Sequence, residues 1–174
     1  GLAIDVGTTS VVSTLLELES GEQLASESTL NPQALFGGDL MSRIAFAQFN
    51  PGNLRKLHTR ILGLLNQHVA EVCRISGVLP KWIYKVVVVG NTVMHHLFCG
   101  IDLEPLSRYP FEPVAPGAGV FSAEQLGWGW GGPLRVVFLP CLGGFVGSDI
   151  LAGLLATRLH DSPKLAALMD LGTN

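Results

Sequence analysis

Apolar residues at the start of the chain recur with the short period of extended structure. GLAIDVG (1–7), TTSVVSTLLELES (8–20) and GEQLASESTL (21–30) each read as a strand, with Glu19-Ser20-Gly21-Glu22 supplying turn chemistry between the last two. The pattern predicts an antiparallel meander. After Asn31-Pro32 the period lengthens: Asp39 is placed to cap a helix carrying Leu40, Ile44 and Ala47, and Asn50-Pro51-Gly52 ends it. A longer helix follows, with Leu54, Leu57, Ile61, Leu64, Leu65, Val69, Val72 and Ile75 spaced by three and four until Gly77 and Pro80 stop it.

WIYKVVVVG (82–90) is β-branched without alternation, the pattern of a strand covered on both faces, and NTVMHHLFCG (91–100) reads as a short helix behind it. Residues 105–133 are rich in proline and glycine and read as a long irregular connection rather than packed core. LRVVFLP (134–140) returns as a strand. It is followed by the glycine turn CLGGFVG (141–147) and the helix SDILAGLLATRL (148–159), for which Ser148 is the expected cap. KLAALMDLGTN (164–174) reads as a last apolar strand running into Asp-Gly-Thr. The order β-β-β-α-α-β-α-β-α-β describes an α/β fold: a meander followed by βα units, in a mixed sheet with flanking helices.

Composition narrows the setting. The 174 residues fit one domain or one lobe of a larger protein, and 48% are hydrophobic against 14% charged. With a mean hydropathy of +0.40, part of the surface is expected to be covered by more of the same polypeptide or by a partner; a large buried parallel sheet pushes the numbers the same way. The net charge of -3, with no basic run, argues against nucleic acid. No apolar run approaches the roughly 18 residues of a membrane span. Cys73, Cys99 and Cys141 form neither an even framework nor a CxxC pair, and the chain opens without a secretion signal. The expected setting is reducing and cytoplasmic, with the cysteines as buried thiols.

Candidate chemistry begins with a repeat. Asp-x-Gly-Thr occurs at 5–8 and again at 170–173, although by average usage it should appear roughly once in five thousand positions. Glycine lets the backbone approach an anion, neighbouring N–H groups point at its oxygens, and threonine hydroxyls add donors. A carboxylate beside phosphate is repelled unless a divalent cation lies between them, so Asp5 and Asp170 read as ligands of Mg²⁺ through its waters. An ordinary turn is the plain alternative for either copy taken alone. The chain carries no GxxxxGK[ST], so no P-loop is predicted.

DVGTT at 5–9 resembles the phosphate-1 hairpin, and DLGTN at 170–174 the opening of the phosphate-2 hairpin, of the actin, heat-shock-chaperone and sugar-kinase superfamily of ATPases. Longer blocks, GLAIDVGTTSVVSTLLELESGE, NPQALFGGDLMSRIAFA, VVVGNTVMHHLFCGIDLEPL and LPCLGGFVGSDILAGLLA, resemble the ATPase region of the reductive activators of corrinoid proteins. The resemblance implies a first ribonuclease-H-like half over 1–164, with 165–174 the truncated start of a second. It implies ATP and Mg²⁺ as cofactors, with Gly7, Thr8, Thr9, Gly172, Thr173 and Asn174 on phosphate. It gives Asp5, Asp149 and Asp170 catalytic roles, Asp149 ordering Mg²⁺ or the attacking water. It further implies a [2Fe-2S] domain elsewhere in the parent and ATP hydrolysis coupled to reduction of Co(II) to Co(I) in the corrinoid protein of a methyltransferase system. The partners implied are that protein and the rest of the same polypeptide, with a homodimer left open, and without membrane or nucleic acid. Such a fragment is expected to hydrolyse ATP negligibly and bind it weakly. Rival readings are a small-molecule kinase of the same superfamily and a non-catalytic actin-like docking scaffold.

Several residues also have plainer readings. Asp149 fits an acid in the first turn of a helix. Asn91 and Thr92, at the carboxyl end of a strand, are read as a helix cap rather than as ligand contacts. His95 and His96 diverge by about 100° on a helix, which argues against a shared metal, while His58, His68 and His160 are assigned surface or packing roles. Trp128 and Trp130 serve either loop packing or docking. Arg43 is read as pairing with Asp39 at i,i+4 rather than reaching a phosphate. The glycines near 144 do not complete GxGxxG, because Leu142 occupies the first position.

Overall fold

The alternation at the start of the chain becomes β1 (Leu2–Val6), β2 (Ser10–Leu16) and β3 (Gln23–Leu30) in a computed structural model that describes residues 1–130 and 134–172. β2 pairs antiparallel with both neighbours, and β1 pairs on its other side, in parallel, with β4 (Lys85–Gly90). A parallel β6 (Arg135–Phe138) and an antiparallel β5 (Gly119–Ser122) complete a mixed six-stranded sheet in the order β3-β2-β1-β4-β6-β5. Register explains the core. Leu2, Ile4 and Val6 lie opposite Leu15, Ser13 and Val11 on one side and Val86, Val88 and Gly90 on the other, so one face carries a continuous buried row.

Among the described residues four α-helices accompany the sheet. α1 (Leu40–Phe49) starts at Asp39, whose side chain accepts from Ser42 N in a capping box. α2 (Pro51–Ser76) starts at Asn50, with Pro51 in its first turn, and ends at Gly77, which takes the left-handed conformation (φ 73°) and donates to the Cys73 carbonyl. Leu57, Ile61, Leu65, Val69 and Val72 are each at most 1% exposed on α2. Each contributes about 2 kcal/mol by burial, and truncating Leu65 to Ala is expected to cost about 3 kcal/mol. This helix lies along β2 and β3, α3 (Thr92–Cys99) packs against α2 and β4, and α4 (Ser148–Thr157) meets β4.

The pattern misleads in four places. β4 is covered unequally: Val86 and Val88 are buried on one face, while Val87 and Val89 on the other are half-buried. The connection expected to be irregular contains β5, and Leu106, Ala123, Leu126 and Trp128 belong to the core. A four-residue strand amid glycines is defined by its pairing with β6 rather than by its own period. Ser148 does not cap α4; Gly147 holds the cap position, and the Ser148 hydroxyl bonds the Gly90 backbone. Residues 164–172 form no strand, and Leu165, Met169 and Leu171 are exposed. An extended segment becomes a strand only through a ladder, and no described strand lies beside it.

Candidate functional site

The parallel strands β1 and β4 end at the same edge, where open α/β sheets receive ligands. There the β1–β2 turn, the start of α3, the start of α4 and the segment around 170 surround a cleft of about 780 Å³, within the range of small-molecule sites. The turn is tight. Gly7 N donates to Ser10 O at 2.9 Å, and a Cβ on Gly7 would stand 2.6 Å from that oxygen, so only glycine fits without moving backbone.

Three side chains lock this turn from behind. Asn31 Nδ2 donates to Gly7 O at 2.8 Å, Asn91 Nδ2 donates to Thr8 Oγ1 at 3.1 Å, and the buried Arg43 guanidinium donates to the Thr8 carbonyl. Arg43 Nε also donates to Gly37 O at 2.8 Å. The expected Arg43–Asp39 ion pair is absent among the described residues, because the buried guanidinium turns inward to the Gly37 and Thr8 carbonyls. Burial also lowers its pKa to about 10, and it stays cationic. Asn91 is the expected cap, accepting from Met94 N at 3.0 Å, while its amide also reaches the turn. Asn31 was missed. Its one sequence signal is its position before Pro32, where it caps a short 3₁₀ turn at 32–36.

Three carboxylates face one cleft. Asp5, Asp149 and Asp170 all line the cleft with Gly7, Thr8, Thr9 and Gly172; Thr173 and Asn174 lie outside the described residues. Asp5 faces the cleft with protein walls on either side, and its pKa is raised first by that partial desolvation, then by the charges of Asp149 and Asp170. Asp149 is likewise raised by burial, opposed by the Ile150 N–H at 2.8 Å and reinforced by Asp170. No lysine or arginine is among the described residues that line the cleft. Convergent carboxylates beside N–H and hydroxyl donors favour a divalent cation and disfavour a bare anion. That donor set fits Mg²⁺ with a phosphate-bearing ligand.

The α4 end of the cleft is built from bare backbone. A Cβ on Gly147 would fall 2.1 Å from Gly90 O, and one on Gly90 would fall 2.6 Å from Val6 O. Ser148 Oγ lies 3.2 Å from Gly90 N, tying the helix that carries Asp149 to the end of β4.

The remaining candidates fall elsewhere. Trp128 is buried with its indole N–H on Leu62 O at 3.2 Å, and Trp130 stacks on it at 4.9 Å, so both pack the loop onto α2. His58 lies 3.1 Å from Leu97 O, and His160 beside Asp161 on the surface. His68 is buried, between Ser13 Oγ at 3.0 Å and Thr29 Oγ1 at 2.8 Å. His95 and His96 do not diverge; their rings meet edge to face at 5.4 Å. Among the described residues no helix is long and apolar enough to cross a membrane.

Comparison with known proteins gives this geometry a context. A family model described as "RACo middle region" matches residues 1–162. The chain is 38% identical over 174 residues to "Corrinoid activation enzyme RamQ" of Eubacterium limosum, covering 29% of that protein. It is 24% identical over 185 residues to a "[Co(II) methylated amine-specific corrinoid protein] reductase" of Methanosarcina barkeri, covering 33% of it. Among solved structures, a "Reductive activator for corrinoid,iron-sulfur protein" superposes with a TM-score of 0.90 at 37% identity over 95% of this chain and 26% of that one. The chain thus spans about a third or less of the relatives it matches. The matching family is a middle region and not an ATPase domain, which corrects the ATPase half expected from the sequence.

Proposed function

From a chain that belongs to the RACo middle-region family, we propose that it forms one wall of the nucleotide site in an activator of corrinoid proteins. Support comes from the relatives, whose printed names describe corrinoid activation, reduction of a Co(II) corrinoid protein and reductive activation. The observation that carries the nucleotide reading is the convergence of Asp5, Asp149 and Asp170 on the buttressed turn at 7–9. In this reading residues 1–164 are a ribonuclease-H-like half, and the segment from 165 opens a second half whose Gly172, with Thr173 and Asn174 outside the described residues, would serve phosphate.

The chain's own residues have separable tasks. Gly7 and the turn's N–H groups approach phosphate oxygens, and Thr8 and Thr9 add hydroxyls. Asp5 and Asp170 would hold Mg²⁺, which would neutralise phosphate charge, and Asp149 would orient a water at the mouth of α4. Arg43 and Asn31 act as positioning residues, keeping the turn fixed from behind, and Asn91 braces Thr8 while lining the cleft. Mg-ATP, when bound, supplies a phosphoryl group whose transfer to water depends on positioning and charge neutralisation. The longer polypeptide would couple that transfer to reduction of Co(II) to Co(I) in a partner corrinoid protein, with electrons from a [2Fe-2S] domain outside these residues.

The test is made on the longer activator polypeptide carrying this chain. Asp5→Asn is expected to lower Mg²⁺-dependent ATP hydrolysis about 100-fold with circular dichroism unchanged; undiminished hydrolysis would remove the nucleotide reading. The 174-residue chain alone is expected to bind Mg-ATP weakly, so micromolar affinity by calorimetry would overturn the assignment of a single wall.

A further inference from the structure

Beside the acidic cleft, near enough for the Asp149 charge to act on Cys141, α3 and the turn after β6 bring three soft donors together. One ring nitrogen each of His95 and His96 and the Cys141 sulfur all lie within 4.8 Å of one another. We propose that His95, His96 and Cys141 form a binding site for a zinc-class divalent ion, with solvent completing a tetrahedron.

Separation comes first. Zinc–nitrogen bonds of about 2.0–2.1 Å and zinc–sulfur bonds of about 2.3 Å set tetrahedral donors about 3.3–3.6 Å apart, so the cluster closes with shifts of about 1 Å. Adjacent histidines on a straight helix would diverge, but His95 is turned by its edge-to-face contact with Phe138 at 4.9 Å, which brings it towards its neighbour.

Protonation comes second. Both imidazoles are fully buried. His96 Nδ1 lies 2.9 Å from the Thr92 carbonyl and donates to it, which leaves Nε2 as a lone pair with no hydrogen-bond partner. A fully buried histidine nitrogen without a partner is uncommon and calls for an ion or an equivalent group. The Nδ1–H bond to a backbone carbonyl is the outer contact that metal-bound histidines make to fix their tautomer. Burial and His96 lower the His95 pKa to about 4, so both rings are neutral and ligand-competent near neutral pH.

The thiol comes third. Cys141 is partly exposed as a residue, while its sulfur sits within the buried cluster. Its proton is held by burial, but a coordinating ion deprotonates a thiol outright, so binding replaces one S–H bond with one metal–sulfur bond and releases one proton. Mixed nitrogen and sulfur donors select zinc over Mg²⁺, which prefers oxygen, so the site does not compete with the cleft at Asp5. Cys99 is a neighbour rather than a ligand, its sulfur 3.8 Å from His95 Nε2. The consequence is mechanical: an ion here staples the 141–147 turn, which leads into α4, to helix α3.

Titration of the 174-residue chain with Co²⁺ alone is the test. One equivalent is expected to produce a thiolate-to-cobalt charge-transfer band, release one proton, and be displaced by Zn²⁺ with a rise in Tm. Cys141→Ser should abolish the band and weaken Zn²⁺ binding about 100-fold or more, His96→Gln should do the same, and Cys99→Ser should retain the band. Circular dichroism of each variant without added metal checks folding. Absence of a charge-transfer band in the unmodified chain, its persistence in folded Cys141→Ser, or its loss in Cys99→Ser alone overturns the site.

Discussion

Asp5-Val6-Gly7-Thr8 and Asp170-Leu171-Gly172 share one motif and have opposite surroundings. The first turn ends a strand held between β2 and β4 and is bonded from behind by Asn31, Arg43 and Asn91. The second follows exposed apolar residues that no described strand pairs with, and a Cβ on Gly172 would meet only the Asp170 carboxylate at 3.7 Å. The contrast separates what the motif encodes from what the fold supplies. The tetrapeptide specifies donors and a carboxylate, while the neighbouring ladder and the buried polar side chains determine whether they are held still.

Breaking the rear support should give the largest effect. Arg43→Ala removes the donor from two carbonyls in a buried setting and is expected to cost about 3 kcal/mol, read by urea denaturation; a loss below about 1 kcal/mol would show that the turn is held without it. Next comes one substitution made in both turns. Gly7→Ala is expected to cost about 2 kcal/mol through the contact with Ser10 O, whereas Gly172→Ala should change stability by less than about 0.5 kcal/mol. Equal costs would erase the contrast. Asn91→Ala, which loses a helix cap and a tie to Thr8, is expected to cost about 1 kcal/mol.

The smallest effect is a pH dependence behind the hairpin. His68 sits between Ser13 on β2 and Thr29 on β3, and burial lowers its pKa from the ordinary 6.5, only partly offset by Glu27. The native state therefore binds fewer protons than the unfolded chain. Its contribution is fully present above pH 6.5 and is lost as pH falls through the folded value. His68→Gln should flatten the fall in stability measured between about pH 7 and about pH 5. His95 and His96 act in the same direction, so the difference between the two chains is the quantity to compare. An unchanged slope would show that His68 titrates as it does in the unfolded chain.

The meander, helices α1 and α2 and the Asp5 turn were legible because each rests on local signals: period, the Asp39 cap, and a turn that only glycine fits. β5 was not, since Gly119–Ser122 has no period of its own and becomes a strand beside β6. Arg43 was read as a local i,i+4 partner because sequence spacing cannot report that the turn at 7–9 folds over it. The histidine and cysteine cluster was hidden for the same reason, Cys141 being 45 positions from His96 along the chain. Local patterns describe elements, and sites made from different elements require the topology.

The run of backbone contacts from Val6 through Gly90 to Gly147 has a further implication. Side chains absorb small displacements by changing rotamer, but carbonyls pressed against bare α-carbons have no such compliance. The ends of β1 and β4 and the start of α4 therefore behave as a train of meshed teeth without backlash. A shift of α4 by a fraction of an ångström is delivered to the neighbourhood of Asp5, and a shift of the hairpin is returned to Asp149.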